Sequence, residues 1–373
     1  MGGALVAFLL TANMLLPLPL DKILMALLVV VICWMSPENL KQPSENYVLY
    51  LCVCLVCLLS AVVNLVIKPI PLFPIIALAF VFLSVRNEKL MDAFYKALTF
   101  HILLGLVFLG LSYINEDIPF YTSLKAKGIP FIHTPLGFVS TVQVFGTLCI
   151  IWLIIYFERK KDTTYKKPSR FLYAVITLAL ILTFNRSTYL FYFILLAFKD
   201  RKLLYLYLLL LALIVLFLVR AGLDGIFFNT QTLTSRSELL EGFNLSFWKE
   251  GSLMTYIFGK GDNFLTADVL NRVKWDYRQD IENGYAMLLH TYGFLGLSVF
   301  ILSGIVFVLK LAMEQRWYLA AVVGYYFFVS SFFTQEFVVT SFYIFTLVVL
   351  IIRKNTPSGG ISTYETTRYK SVC

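Results

Sequence analysis

Arg186 interrupts a long apolar run of the sequence, and its side-chain chemistry indicates an anionic ligand. It stands in TFNRSTYL, between two short apolar stretches. A guanidinium is permanently charged and holds its N–H donors in one plane, which suits a phosphate or a diphosphate. A charge at membrane depth costs on the order of several kcal/mol and is by default a functional hypothesis. The alternative is a helix-end arginine whose side chain reaches back to the membrane surface.

Three more arginines follow in the polar part of the chain, and they extend the same chemistry. Arg236 lies in TSRSELL, where its charge would oppose the dipole of a helix that starts there unless an anion lies nearby. Pairing with a neighbouring glutamate is the alternative. The other two are Arg272 and Arg278.

Glu282 and His290 are the candidate general bases. Both lie in DIENGYAMLLHTYGFLGL, at 280–297, and each can accept a proton if its surroundings tune it. On a helix they would lie about 12 Å apart along the axis, so they would bracket a site without touching. For His290 the alternative is a polar side chain packed inside a helix bundle. Gly293 and Gly296 predict a surface of small residues that lets another helix approach closely.

The composition indicates which class of protein holds these groups. Of 373 residues, 59% are hydrophobic and 14% are charged, whereas a soluble domain has about 25% charged residues. These values exclude a cytosolic enzyme with one buried core, and they also exclude a disordered chain. Since a transmembrane helix needs about 20 mostly apolar residues, we predict an all-α polytopic membrane protein.

Apolar runs separated by polar breaks predict 12 transmembrane helices, and the segment 171–198 decides their topology. If it forms two helices, the short loops hold 19 Lys and Arg on the cytoplasmic side and five on the outer side. If it forms one helix, the later loops change sides, and the counts become 10 on the cytoplasmic side and 13 on the outer side. Because cytoplasmic loops are rich in Lys and Arg, we predict two helices, cytoplasmic termini and an outward-facing hairpin at Arg186. The predicted spans are 3–20, 22–36, 47–66, 70–85, 97–113, 135–157, 171–185, 187–198, 203–219, 284–309, 318–333 and 337–352.

The same topology places residues 220–283, here called the outer segment, outside the membrane. It holds seven basic and nine acidic residues, a mixture that does not indicate a nucleic-acid surface. We predict that it folds as a lid, helical from about Ser235 to Trp248, with Ser235 as the N-cap. Its GKGD sequence at 259–262 is interpreted as a turn, and 353–373 as a flexible cytoplasmic tail.

The sequence does not indicate a metal or a cofactor, and we expect neither. It contains no HExxH, GxSxG or DxD motif. The cysteines at 52–57 lie in an apolar run without a nearby His or Asp, which is typical of small packing residues.

Four segments, in this order, resemble the O-antigen ligase and Wzy-type polysaccharide polymerase superfamily. They are NRSTYL after an apolar span, SRSELL, GKGD and ENGYAMLLHTYGFLGL. The resemblance covers about 183–300, and the first six spans match only in hydropathy. In the ligases the loop carries Arg-x3-Leu and then His-x10-Gly. This chain has Arg236 with Leu240, and then Glu282 with Gly293, so a glutamate occupies the position of the family histidine.

The resemblance implies an enzyme of surface polysaccharide assembly in the bacterial inner membrane, similar in fold to GT-C glycosyltransferases, with its site facing the periplasm. Such enzymes transfer glycan from an undecaprenyl-diphosphate-linked oligosaccharide, a polymerase to another lipid-linked repeat unit and a ligase to lipid A core. It also implies contact with membrane lipid and, as a protein partner, a chain-length regulator.

The resemblance also assigns chemical roles to the candidate residues. Arg186 and Arg236, with Arg272 or Arg278 as a third cation, would stabilise the leaving diphosphate without a metal. Glu282, with His290 as second choice, would deprotonate the attacking sugar hydroxyl, and displacement at the anomeric carbon would invert its configuration.

Three alternatives to a polymerase are open. The first is a ligase, which the missing histidine makes less favoured. The second is a transporter such as a lipid-linked oligosaccharide flippase, which would explain the span count and the arginine but explains the outer segment less well. The third is a non-catalytic assembly partner.

Overall fold

The computed structural model describes most of the chain after residue 88 and a short N-terminal part. The described residues are 2–16, 88–115, 117–125, 129–161, 168–220, 239–261, 265–273, 281–333 and 340–355, together with isolated positions between 20 and 63. Apart from those positions, the predicted spans 22–36, 47–66 and 70–85 lie outside the described residues, as do Ser235, Arg236 and Arg278.

Helices make up nearly all of the described chain. They are α1 (Gly2–Thr11), α2 (Glu88–Ser112), α3 (Val142–Lys161), α4 (Arg170–Ile181), α5 (Arg186–Lys199), α6 (Arg201–Arg220), α7 (Leu253–Phe258), α8 (Ala267–Arg272), α9 (Gly284–Met313), α10 (Trp317–Gly324), α11 (Ser331–Phe333) and α12 (Thr340–Asn355). Two π-helices cover Asn244–Lys249 and Tyr325–Ser330. The strands β1 (Tyr121–Leu124) and β2 (Ile129–Pro135) form an antiparallel hairpin.

Three described helices are long and apolar enough to cross a membrane: Lys89–Ser112, Val142–Lys160 and Gly284–Met313. Shorter apolar helices cover Arg170–Ile181 and Trp317–Ser330. The chain is thus helical and carries membrane-spanning lengths of apolar helix, as its composition predicts. The first predicted span differs, since α1 ends at Thr11 and a 3-10 turn follows at Asn13–Leu15.

Helix α3 lies at the centre of the packing. Its residues from Leu148 to Phe157 are all buried, which is typical of a helix that is covered on every side. It contacts α2, α4, α5 and α12. A Cβ atom at Gly146 would overlap the side chain of Thr188, so this glycine allows α3 and α5 to approach closely. On the other side, Trp152 Nε1 donates to Thr99 Oγ1 at 2.7 Å.

Residues 171–198 form two helices, as the charge distribution predicts. Helix α4 ends at Ile181, and α5 begins at Arg186 after Asn185, whose side chain accepts hydrogen bonds from the N–H groups of Ser187 and Thr188. Between them Phe184 has φ of 47°, a conformation that bulky residues rarely adopt. The helices have 12 and 14 residues, and so measure only about 18 and 21 Å, against about 30 Å of hydrocarbon.

Ion pairs gather the ends of several helices at one end of the bundle. Lys199 Nζ, at the end of α5, lies 2.6 Å from Glu158 Oε1 near the end of α3. Arg159 Nη1 lies 3.1 Å from Asp92 Oδ1 near the start of α2. The hydroxyl of Tyr318, near the start of α10, also donates to Glu158. We call this cluster the charged end.

Candidate functional site

Arg186 lies at the tip of the α4–α5 hairpin, at the end of the bundle opposite the charged end. It is the first residue of α5, and its side chain is exposed. The capping side chain of Asn185 accepts from Ser187 N at 2.9 Å and from Thr188 N at 3.3 Å. A positive side chain at this position opposes the helix dipole, an arrangement that an anion near the helix start would stabilise.

Two tyrosine hydroxyls connect this tip to the start of α9. Tyr325, in the second π-helix, donates to the carbonyl oxygen of Ser187 at 2.8 Å. Tyr285, in the first turn of α9, lies within hydrogen-bond distance of the carbonyl oxygens of Phe328, at 3.3 Å, and Phe327, at 3.4 Å. The starts of α5 and α9 are therefore brought together around the second π-helix. Single-turn π-helices occur frequently at functional sites.

Glu282 lies immediately before α9, at this same end. Its side chain is partly buried, and it precedes Asn283, which caps α9 by accepting from Ala286 N at 2.9 Å. Asn283 and Gly284 are thus the N-cap and the first residue of the helix. His290 lies inside α9 and Glu282 just before its N-cap, so the expectation that the two residues bracket one site stays a prediction.

Residues 239–261, in the described part of the outer segment, pack onto α9. Residues 239–243 are helical and continue as the π-helix Asn244–Lys249, so the predicted helix is present over its described residues, 239–248, but changes its hydrogen-bonding pattern. Phe247 is fully buried and stacks on Phe243, with ring centroids 5.3 Å apart. Trp248 packs against Phe294 of α9 at 5.8 Å.

Helix α9 breaks at Gly293, where it meets the outer segment. Gly293 has φ of 65° and ψ of −167°, a combination that is essentially restricted to glycine. A Cβ atom there would overlap the backbone of Ile257, and one at Gly259 would overlap the backbone of Thr291. Gly293 therefore lets the end of α7 approach α9 closely, as expected, although the same glycine also breaks α9.

Hydrogen bonds secure this crossing. Lys260 N donates to the carbonyl oxygen of His290 at 2.6 Å, and Gly261 N donates to that of Thr291 at 3.1 Å. Such bonds satisfy carbonyl groups next to the break in the helix. The GKGD turn is thus the point at which the outer segment joins α9.

His290 belongs to a hydrogen-bonded chain of three side chains. Its Nε2 lies 2.9 Å from Ser246 Oγ, on the first π-helix, and Lys260 Nζ donates to the same oxygen at 3.0 Å. Ser246 and His290 are 2% and 1% exposed, whereas Lys260 is only partly buried. His290 is thus a buried, hydrogen-bonded imidazole.

The four arginines of the sequence analysis do not all fall within the described residues. Arg236 and Arg278 lie outside them. Arg272 ends α8, is exposed, and forms ion pairs with Glu250 and with Asp268, the latter at 3.0 Å. The hydrogen bond with Glu250 raises the pKa of the Arg272 guanidinium. This arginine therefore carries two carboxylate partners.

The other two histidines hold the fold together. The Nε2 atom of His101 accepts a hydrogen bond from Phe138 N at 3.0 Å, and its Nδ1 atom lies 3.1 Å from Thr11 Oγ1. His133, on β2, lies between the rings of Tyr113 and Tyr121, each with its centroid 4.4 Å away. Neither was assigned a role from the sequence, and both link separate elements.

Ser246 and Lys260 are the residues that sequence reasoning missed. Ser246 stands in NLSFWK, without any motif around it, and only the fold brings it to His290. Lys260 did carry a signal, since Gly259 and Gly261 flank it and both have positive φ. A lysine between two such glycines indicates a backbone that passes close to another chain segment.

Within the described ranges, no group of three or more His, Cys, Asp or Glu side chains is arranged to hold a metal ion. The arrangement can supply charge and proton transfer instead. It has an exposed guanidinium at a helix start, a partly buried carboxylate and a buried imidazole linked to a serine and a lysine, all toward one end of the bundle. When the chain is compared with protein-family models and with curated proteins, nothing matches in either comparison.

Proposed function

We propose that the chain is a membrane glycosyltransferase that polymerises a surface polysaccharide. It would transfer glycan from an undecaprenyl-diphosphate-linked donor to another lipid-linked repeat unit. The observation that carries this proposal is the docking of the outer segment on the broken helix α9, beside a buried base, at the end of the bundle that also holds Arg186. Cationic and basic groups at one end of a lipid-embedded bundle suit a reaction between two lipid-linked molecules.

The leaving group of this reaction is a diphosphate, and arginine suits its charge. In the proposal Arg186 binds it from the α5 start, where a negative ligand also interacts favourably with the helix dipole. Arg236 is proposed to bind the same group, with Arg272 or Arg278 as the third cation. For Arg272 this role requires exchange of its carboxylate partners Glu250 and Asp268 for phosphate oxygens.

The short α4–α5 hairpin supports a site below the membrane surface. If the charged end lies at one surface, helices of about 18 to 21 Å bring Arg186 to within roughly 10 Å of the other surface. A diphosphate joined to a long lipid lies near that depth. A guanidinium at this depth would suit the polar group of a lipid carrier, which supports the proposal.

Two groups are suited to the proton transfer. The carboxylate of Glu282 and the imidazole of His290 both lie toward this end of α9 and can act as general bases. No metal or cofactor enters the proposed step, in which the acceptor hydroxyl attacks the anomeric carbon and inverts its configuration.

The location follows from the same proposal. We propose a bacterial inner-membrane protein with 12 spans, a GT-C-like fold, cytoplasmic termini and the site facing the periplasm, which places the charged end in the cytoplasm. Membrane lipid surrounds the bundle, and a chain-length regulator is the proposed protein partner.

The test is the glycan profile of a strain that lacks the gene, compared with the same strain carrying the gene on a plasmid. A polymerase predicts the loss of long chains, while one repeat unit still reaches the surface anchor. Full-length chains that stay on the lipid carrier would identify a ligase instead, and repeat units trapped on the inner leaflet would identify a flippase. An unchanged profile would contradict all three.

A further inference from the structure

Lys260, Ser246 and His290 form a closed ring of hydrogen bonds. The backbone N–H of Lys260 donates to the carbonyl oxygen of His290, and its side chain donates to Ser246 Oγ. Ser246 Oγ completes the ring at His290 Nε2, 2.9 Å away. Three segments that are distant in sequence are thereby held in one geometry.

The hydrogen bonds of this ring run in one direction. A lysine ammonium has donors only, so Ser246 Oγ accepts from Lys260. In the part of the chain that the structure describes, the only other polar contact of that hydroxyl is His290 Nε2, so its proton points to the imidazole. Nε2 is then the acceptor, and the neutral ring carries its proton on Nδ1.

Ser246 Oγ has capacity for one more hydrogen bond. A hydroxyl has one donor and two acceptor lone pairs, and the ring uses the donor and one lone pair. The neighbouring aromatic side chains of Phe243 and Phe247 exclude water from one side of the hydrogen-bonded ring. Exclusion of water strengthens the electrostatic interactions among Lys260, Ser246 and His290. The second lone pair can accept from a hydroxyl that approaches beside the partly exposed Lys260.

We propose that this ring is a proton relay in which Ser246 receives the proton of the attacking sugar hydroxyl. The inference rests on the proposed function and assigns its base to His290 through Ser246, rather than to Glu282. Lys260 is a positioning residue in this relay, because it orients the serine hydroxyl toward the imidazole.

The acceptor oxygen bonds to the anomeric carbon while the bond from that carbon to the diphosphate breaks, and the diphosphate leaves with the electron pair. The acceptor proton moves to Ser246 Oγ, and the proton of Ser246 moves to His290 Nε2. The imidazolium afterwards returns its proton to water.

The first measurement determines which nitrogen of the His290 imidazole carries the proton, and it needs no glycan. The chain has three histidines, so ¹⁵N-histidine labelling of the full-length protein in lipid nanodiscs gives few ring signals, and His290→Gln identifies those of His290. We expect a neutral His290 imidazole with its proton on Nδ1. Ser246→Ala should abolish that preference, whereas Ser252→Ala, a matched change of an exposed serine in the same segment, should leave it.

The second measurement is glycan transfer, with lipid-linked glycan extracted from the strain that lacks the gene. Ser246→Ala should reduce the rate by about 10²- to 10⁴-fold, the usual contribution of a general base. Lys260→Met should also reduce it, and Lys260→Arg, which keeps a cationic donor, should restore much of the rate. Lys249→Met is the control, because Lys249 is exposed and lies on the same π-helix as Ser246.

The possible results distinguish failure of the proton relay from failure of the proposed function. A proton on Nε2 in the wild-type protein overturns the relay, whether or not the protein transfers glycan. Normal transfer by Ser246→Ala, together with loss of transfer in Glu282→Gln, overturns it as well and leaves the proposed function intact. A wild-type protein that transfers no glycan, with an unchanged glycan profile in the deletion strain, overturns the proposed function and with it this use of the ring.

Discussion

The backbone N–H of Lys260 donates to the carbonyl oxygen of His290 at 2.6 Å, next to the point at which α9 breaks. The bond joins the outer segment to a membrane helix through main-chain atoms, so the junction depends on backbone geometry more than on side-chain identity. Two glycines make that geometry possible, and this leads to the first prediction.

Gly293→Ala should destabilise the protein. The residue has φ of 65°, and its new Cβ would overlap the backbone of Ile257; a strained backbone conformation of this kind costs about 1–3 kcal/mol before the overlap is counted. Thermal unfolding of the protein in detergent should show a lower Tm. Gly110→Ala is the control, since a Cβ there meets nothing within 4 Å, and its Tm should be unchanged or slightly higher. Equal Tm values for the two variants would contradict the account of the helix break.

The buried ion pair at the charged end should be costly to break on one side only. Glu158 and Lys199 have side chains only 13% and 4% exposed, and removing one partner of a buried pair typically costs about 3–5 kcal/mol. We expect that loss for Lys199→Met and a partial recovery in the double variant Glu158→Gln/Lys199→Met, both measured by denaturant unfolding. Lys96→Met removes a 67% exposed partner of Asp92 and should cost only about 0–1 kcal/mol. If Lys199→Met is at least as stable as the double variant, an unpaired Glu158 is not costly and the prediction is wrong.

Arg186→Lys should impair function nearly as much as Arg186→Ala. A point-charge ammonium cannot replace the planar fork of a guanidinium on a diphosphate. The readout is the length of surface glycan chains in the deletion strain complemented with each variant, at equal protein levels. Arg201→Lys changes an exposed arginine at the start of α6 and should keep normal chain lengths. Normal chains with Arg186→Lys would favour an arginine that only anchors the helix end at the membrane surface.

The two ends of the bundle should react differently with a membrane-impermeant thiol reagent in intact spheroplasts. In a cysteine-free background, a cysteine at the exposed Glu250 of the outer segment should be labelled. One at the exposed Arg170, at the start of α4, should react only after the membrane is permeabilised. The reverse pattern would invert the proposed topology.

The sequence was a good guide where one physical rule determined the structure. Apolar run lengths located the long helices, and the imbalance of Lys and Arg divided 171–198 into α4 and α5. Asn185 and Asn283 both act as N-caps, the role that asparagine favours, although neither was predicted as a cap. These features depend on local composition, which the sequence displays directly.

Features that depend on contacts between distant segments were not predictable in the same way. Nothing near Ser246 indicates that it meets His290, 44 positions later, because only the folded outer segment brings them together. Gly293 was expected to allow close helix packing, and it does, but nothing in the sequence indicated that it also breaks α9. The two π-helices were not predicted from the sequence either.

Transfer by the purified protein tests the central claim most directly. Wild-type protein in nanodiscs receives lipid-linked repeat units extracted from the deletion strain, with and without a metal chelator, and the products are resolved by chain length. The account predicts a ladder of lipid-linked chains that forms in both conditions, that is lost with His290→Gln, and that carries inverted linkages at each new bond. Repeat units that stay single with the wild-type protein, or growth that stops with the chelator, would contradict it.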